Sequence, residues 1–374
     1  MKIIYCINGT YNSGGMERIL MNKANYLTDV LGYEVCIVTT EQKNRTNFFT
    51  FSPKVNFYDL GINYDKDKNI FFRYFLNQLK KKKHRRALTE LLVQEQPDIC
   101  ISMFDWEMDF LYKIKDGSKK ILEYHFSKNV KLIEAKNKVV YFLQKIRIWN
   151  WKRIVQRYER FVVLTEEDKK AWGDMYNICV IPNFLMELPK ETASLTSNRV
   201  ISVGRLSYQK GFDNLIKIWM IVHKVYPDWQ LYIFGNGDKR EELETMVSQL
   251  GLINSIFLKE PTATIENEYL QSSVYVMSSR YEGLPMVLLE AMSYGLPIVS
   301  FTCPCGPRDL IEKSFGSLIP SGDTDAFARE LMIWMANYEK RQVAGKNARS
   351  AAGHYLQSKI MEKWNQLFLE VINS

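Results

Sequence analysis

The chain has 374 residues, 46% of them hydrophobic and 25% charged, the composition of an ordinary globular protein. It has no run of about 18 uncharged apolar residues, so no spanning helix is expected, and at roughly 150 residues per domain it is long enough for two cores. Positive charge is concentrated early: through residue 190, Lys and Arg outnumber Asp and Glu by 32 to 22, and thereafter the balance is 18 to 20. That asymmetry points to a negatively charged partner of the first half: a membrane surface, a nucleic acid or a phosphorylated substrate.

The apolar start Ile3-Ile4-Tyr5-Cys6-Ile7 stops at Asn8-Gly9. It is too short for a signal-peptide core and reads as a first buried strand, Lys2–Asn8. A loop at 9–15 and a helix from about Met16 to Leu31 follow, with Ile19, Leu20, Ala24 and Leu27 near helical spacing. Further strands are predicted at Glu34–Thr40, Asp98–Ser102, Lys120–Tyr124 and Phe161–Leu164. The polar stretch 183–198, with Pro189, reads as a linker. The pattern then restarts with strand Arg199–Val203, a loop at 204–211 and helix Phe212–Val225. Strand Gln230–Phe234, helix Lys239–Leu250, strand Val274–Met277, helix Pro285–Tyr294 and strand Ile298–Phe301 complete it. Strand alternating with helix in both halves gives an α/β chain of two Rossmann-like, doubly wound parallel-sheet domains facing a cleft, 1–185 and 195–356. Ligands of such sheets bind at the carboxyl ends of the strands.

Four places carry candidate chemistry. Arg205 and Lys210 lie in the loop between a strand and a helix, beside Gly204 and Gly211. Two cations at a helix N-terminus suit a diphosphate; the plain alternative is two surface cations. Glu290 is the single charge in the apolar helix 285–294, and a buried carboxylate needs strong partners such as sugar hydroxyls or a structural Arg. Pro285 suits the first helical position, and Glu282 precedes it. Gly14 and Gly15 precede the first helix, where a Gly pair lets backbone amides approach a phosphate; the plain alternative is a simple strand-to-helix turn. His125, one of four histidines, falls at a strand end. Neither half carries the spaced-glycine dinucleotide fingerprint, and no P-loop lysine motif is present. Six scattered cysteines, with Cys303 and Cys305 the close pair, lack a second ligand pair for a metal and suit a reduced, cytosolic protein. Asp65-Lys66-Asp67 and Asp323-Thr324-Asp325 read as polar loop.

Taken in order, Gly14-Gly15-Met16-Glu17-Arg18, Gly204-Arg205-Leu206 with Lys210-Gly211, and Glu282-Gly283-Leu284-Pro285 leading to Glu290-Ala291-Met292-Ser293-Tyr294-Gly295-Leu296-Pro297 resemble family 4 glycosyltransferases. Ile181-Pro182-Asn183 and Gly306-Pro307-Arg308-Asp309 fit the same pattern, with Asp309 where many members carry Glu. The resemblance implies a GT-B fold and a retaining transfer without cofactor or metal, from a UDP- or GDP-sugar to a glycan or polyprenyl-linked acceptor. It implies that Arg205 and Lys210 neutralise the donor diphosphate beside Gly204, and that Glu290 holds the ribose. Glu282, with the amides of Gly283, Leu284, Pro285 and Met286, would hold the donor sugar and distal phosphate. Gly14 and Gly15 would approach the phosphates from the other domain, and His125 would lie near the donor sugar. A C-terminal helix, 357–374, would cross back to the first domain.

Residues 66–86 carry nine Lys or Arg against one acid, and 128–160 carry ten against two, both interleaved with aromatics. This suits helices lying on an anionic membrane, here the inner leaflet; the plain alternative is a solvated face. No nucleic-acid module is recognised. A nucleotide-sugar epimerase or hydrolase of similar fold, or a scaffold that has lost transfer, are the competing functions.

Overall fold

The computed structural model describes residues 1–64, 70–135 and 137–374, with side chains from Phe75 onward in the helix that begins at Ile70. The Asp65-Lys66-Asp67 triplet, and the first part of the basic stretch 66–86, lie outside the described residues.

The chain divides into two compact units, one of residues 1–164, 169–181 and 361–374, the other of 165–168 and 182–360. The first unit runs β1 (Lys2–Ile7), α1 (Gly15–Asp29), β2 (Glu34–Thr39), β3 (Asn56–Asp59), α2 (Ile70–Glu95), β4 (Ile99–Ser102), β5 (Lys119–Tyr124), α3 (Val130–Ile133), α4 (Lys138–Val155), β6 (Arg160–Val163), α5 (Glu166–Trp172) and β7 (Ile178–Val180). Its strands form one parallel sheet in the order β3-β2-β1-β4-β5-β6-β7. β1 is apolar on both faces because helices cover both. β3, at the edge, is wholly exposed and lacks the apolar run that marks a buried strand.

The second unit runs β8 (Arg199–Val203), α6 (Phe212–His223), β9 (Gln230–Phe234), α7 (Arg240–Gln249), β10 (Ile256–Lys259), α8 (Ile265–Leu270), β11 (Val274–Met277), α9 (Met286–Ser293), β12 (Ile298–Phe301), α10 (Pro307–Leu310), β13 (Gly316–Ile319), α11 (Thr324–Ala336) and α12 (Tyr338–Ala352). Its parallel sheet has the order β10-β9-β8-β11-β12-β13. In each sheet the order reverses beside the first strand, between β1 and β4 and between β8 and β11. That reversal opens a crevice at the strand's carboxyl end. The loops 8–14 and 204–211 therefore begin at the two switch points.

The stretch 183–198 is packed rather than a free linker. Phe184, Leu185 and Leu195 are buried, the Ala193 amide donates to the Tyr294 carbonyl at 2.9 Å, and Arg341 donates to the Leu195 carbonyl. Asp323 caps α11 by accepting from the Ala326 amide at 2.9 Å, a structural role for the second acid pair.

The last helix, α13 (Gln357–Asn373), packs its second and later turns with the first unit. Met361, Trp364, Leu367, Phe368 and Val371 are buried. Trp364 lies over a charge: the Lys23 ammonium of α1 sits 3.6 Å from its ring centroid. Lys23 also donates to both oxygens of Glu123 on β5, at 2.7 and 2.6 Å, with each side chain 1% exposed. Burial alone would raise the Glu123 carboxyl, but Lys23 and His125 outweigh it and hold it at about 2.

Removing one partner of such a pair strands a buried charge. Lys23→Met is expected to cost about 3–5 kcal/mol in urea denaturation, and Lys23→Met with Glu123→Leu clearly less; equal losses would contradict the pair. Because Glu123 is depressed from 4.5, its contribution is whole above about pH 4.5 and drains as pH falls toward 2. Urea midpoints measured from pH 7 to 3 should fall in the wild type and flatten in the double variant.

Candidate functional site

The second unit's site is built by backbone crowding at the ends of β8 and β9. The Gly204 amide donates to the Phe234 carbonyl at 3.0 Å, and the Leu206 amide to Asn236 at 3.0 Å. A Cβ at Gly235 would fall on the Gly204 carbonyl, and one at Gly237 on the Leu206 carbonyl. Gly235-Asn236-Gly237 is therefore a close-approach loop that fixes Gly204 to Leu206. Gly204 in turn leaves room for Lys210, whose stem carbons lie 3.1–3.3 Å from where its Cβ would be.

Gly211 turns the chain into α6 at φ +64°, with its Cα hydrogen facing the Ser278 carbonyl where no Cβ fits. The turn before it is bolted to the loop after β11. The Arg280 guanidinium pairs with both oxygens of Asp213 at 2.9 and 2.6 Å and donates to the Tyr208 carbonyl at 2.7 Å. The Arg280 amide donates to Gln209 at 2.7 Å and the Ser278 hydroxyl to Lys210 at 3.0 Å. Burial would raise Asp213, but Arg280 prevails and lowers it.

These restraints bring Lys210 to Glu282. The ammonium lies 2.8 Å from Glu282 Oε1, with the two side chains 17% and 6% exposed. The Gln209 amide donates to the other oxygen at 3.3 Å and to the Tyr281 carbonyl at 3.1 Å. Lys210 is thus an ion-paired cation in this structure. Arg205 is exposed and makes no hydrogen bond or ion pair among the described residues. The Glu282 amide donates to the Pro304 carbonyl at 3.1 Å. A Cβ at Gly306 would strike Pro285 and the Gly283 carbonyl, so the loop after β12 closes tightly on Gly283, Leu284 and Pro285.

Two expectations for α9 need correction. Pro285 is the N-cap, with extended φ and ψ, and Met286 is the first helical residue. Glu290 is half-buried, not enclosed: Leu288, Leu289, Ala291 and Met292 take the buried positions around it. Its carboxylate accepts from the Tyr269 hydroxyl at 3.2 Å, and Tyr269 stacks on Tyr294.

In the first unit, Gly14 caps α1 and Gly15 opens it. A Cβ at Gly14 would meet the Glu17 carboxylate, whereas Gly15 faces open space. His125 follows β5, its side chain 4% exposed. Its Nε2 lies 2.9 Å from Glu123 Oε1 but off the direction needed for a hydrogen bond. Among the described residues no group of three or more His, Cys, Asp and Glu converges as a metal site, and Cys303 and Cys305 are both buried free thiols.

Gln209, the Arg280–Asp213 clamp and the Lys23–Glu123 pair were not singled out by sequence. Arg280 and Asp213 meet across 67 positions, which no local pattern reports. Lys23 did leave a signal: it occupies the apolar stripe of α1, four residues from both Ile19 and Leu27.

Comparison with known proteins gives the family. The model of "Glycosyl transferases group 1" matches residues 187–351. An uncharacterized glycosyltransferase of Haemophilus influenzae is 32% identical over 371 residues, covering 97% of this chain and 98% of its own. A Campylobacter jejuni enzyme is 27% identical over the whole of both chains; it is the GalNAc-alpha-(1->4)-GalNAc-alpha-(1->3)-diNAcBac-PP-undecaprenol alpha-1,4-N-acetyl-D-galactosaminyltransferase. A crystal structure of a mutant S. aureus TarM with fondaparinux, alpha-GlcNAc-glycerol and UDP covers 100% of both chains at TM-score 0.79 and 18% identity, a likeness of fold. With a relative of that identity along its length and the family model on its second unit, the chain belongs to the group 1 glycosyl transferases, and its two parallel sheets are those of the GT-B fold.

Proposed function

We propose that the chain is a retaining, metal-independent transferase of family 4, moving a hexose or N-acetylhexosamine from UDP- or GDP-sugar to a glycan or polyprenyl-linked acceptor in cell-surface polysaccharide synthesis. The observation that carries this reading is the Lys210–Glu282 pair beside an exposed Arg205 at the switch point of the second sheet. As the glycosidic bond to the nucleotide breaks, charge grows on the leaving diphosphate. Arg205 meets it with a planar fork and Lys210 with the ammonium hydrogens that Glu282 does not use. Preorganised cations at a developing charge supply several kcal/mol, about 3–4 for one well-aimed donor. The departing phosphate oxygen itself takes the acceptor's proton, so no separate base is required. Glu290 accepts from the ribose hydroxyls, and Glu282 with the turn 283–286 holds the sugar. Of the first unit's residues, Gly15, open in front of α1, and His125 are proposed to bind the donor, with Gly14 shaping the turn. The undecaprenol-linked substrate named for the Campylobacter relative, and the UDP in the TarM crystal, support the classes of acceptor and donor.

The reading places the enzyme on the inner face of the membrane. α4 supports it: Val139, Phe142, Leu143, Ile146 and Trp149 are exposed along this helix at 48–70%, flanked by Lys138, Lys145, Arg147 and Arg153. Apolar side chains ringed by cations suit an amphipathic helix in the plane of an anionic bilayer. No described helix is long and apolar enough to cross one.

Arg205→Ala and Lys210→Ala should each lower kcat/KM for transfer about 100-fold or more, read as nucleotide release in the presence of acceptor; near-normal turnover in both would remove the site. Vesicles containing anionic lipid should float the wild-type protein, and Phe142→Asp with Ile146→Asp should abolish flotation. Absence of the wild type from both anionic and neutral floating fractions counts against membrane docking.

A further inference from the structure

Lys23, Glu123 and Trp364 form a buried chain that ends at His125. The three come from α1, β5 and α13, and His125 lies two residues beyond Glu123. Each link is measured: ring centroid to ammonium at 3.6 Å, ammonium to carboxylate at 2.6 and 2.7 Å, carboxylate to imidazole Nε2 at 2.9 Å. The Tyr5 ring also faces the ammonium, at 5.2 Å. A lysine with two ring faces and one carboxylate is an expensive way to fill a core, since apolar residues of similar volume are often as stable. What the charged pair adds is a fixed carboxylate against the His125 imidazole. The Nε2 approach to the carboxylate is short but poorly aligned.

We infer that Lys23, Glu123 and Trp364 are positioning residues: Trp364 and Lys23 clamp the Glu123 carboxylate, and the carboxylate sets the ring plane and tautomer of His125, putting the hydrogen on Nε2. The inference rests on the proposed role of His125 near the donor sugar. It gives the C-terminal helix a part in transfer, because its Trp364 holds the lysine that holds the carboxylate. Shifting a group of this kind by about 1 Å costs up to ~100-fold in rate.

The test uses the full chain and the variant Lys23→Met with Glu123→Leu, which removes both charges together and so strands neither. Its kcat is expected to fall tenfold or more with KM for the donor within twofold, while UDP or GDP raises its melting temperature as in the wild type. Wild-type kcat in the double variant, with His125→Ala inactive, overturns the positioning role and leaves the reading of His125 intact. Full activity of His125→Ala overturns both. Side-chain nitrogen NMR of labelled histidine, assigned with His125→Ala, tests the wild type directly and does not depend on the variants folding. The hydrogen is expected on Nε2 of His125, and a hydrogen on Nδ1 alone overturns the inference. Trp364→Phe should restore kcat relative to Trp364→Ala, because a ring face over the ammonium suffices; equal kcat in the two also counts against it.

Discussion

The ion pair between Lys210 and Glu282 is the contact that the surrounding loops of the second unit are arranged to make. A carboxylate 6% exposed needs a partner, and a flexible lysine needs something to hold it out of solvent. Each supplies the other's need. Gln209 takes the second carboxylate oxygen, and the Arg280–Asp213 clamp holds the backbone from which Gln209 and Lys210 project. The pair is neutral as a whole, which leaves Arg205, near Lys210 in sequence, as a cation with no ion-pair partner among the described residues. An incoming diphosphate would therefore be attracted first by Arg205 and then share Lys210 with Glu282.

The two sheets explain why the chemistry collects in short loops. A parallel strand buried on both faces offers few polar side chains, so recognition is expected to fall mainly to the residues just past its carboxyl end. At the switch point beside β8 the neighbouring helices diverge and those residues become reachable. The cost is a crowded backbone, met by Gly235, Gly237, Gly211 and Gly306, at each of which a Cβ would strike a neighbouring chain. In the first unit a helix from the far end of the sequence closes over a buried Lys–Glu pair, so that unit's interior depends on residues more than three hundred positions apart.

Central strands were legible because they are apolar runs between Gly and Pro punctuation; Arg199–Val203, Gln230–Phe234, Val274–Met277 and Ile298–Phe301 agree with the structure to the residue. The edge strands Asn56–Asp59 and Ile178–Val180 were not: the first is wholly exposed and has no apolar run, and the second is a short, half-buried apolar run of three residues. Lys210 and Glu282 were legible as members of a motif, but not as a bonded pair, because 72 residues separate them. Glu290 was read as buried from its apolar neighbours, yet a short helix can bury the residues on either side and leave one position only half-buried. The start of this helix was read one residue too early, at Pro285, where the chain is still extended.

The account turns on where the diphosphate binds. Crystals of the protein grown with UDP, and separately with GDP, test this most directly. The expected result is a diphosphate held by Arg205 and by Lys210, with Lys210 still in contact with Glu282 and the ribose hydroxyls on Glu290. A nucleotide bound with its diphosphate out of reach of both cations would contradict it.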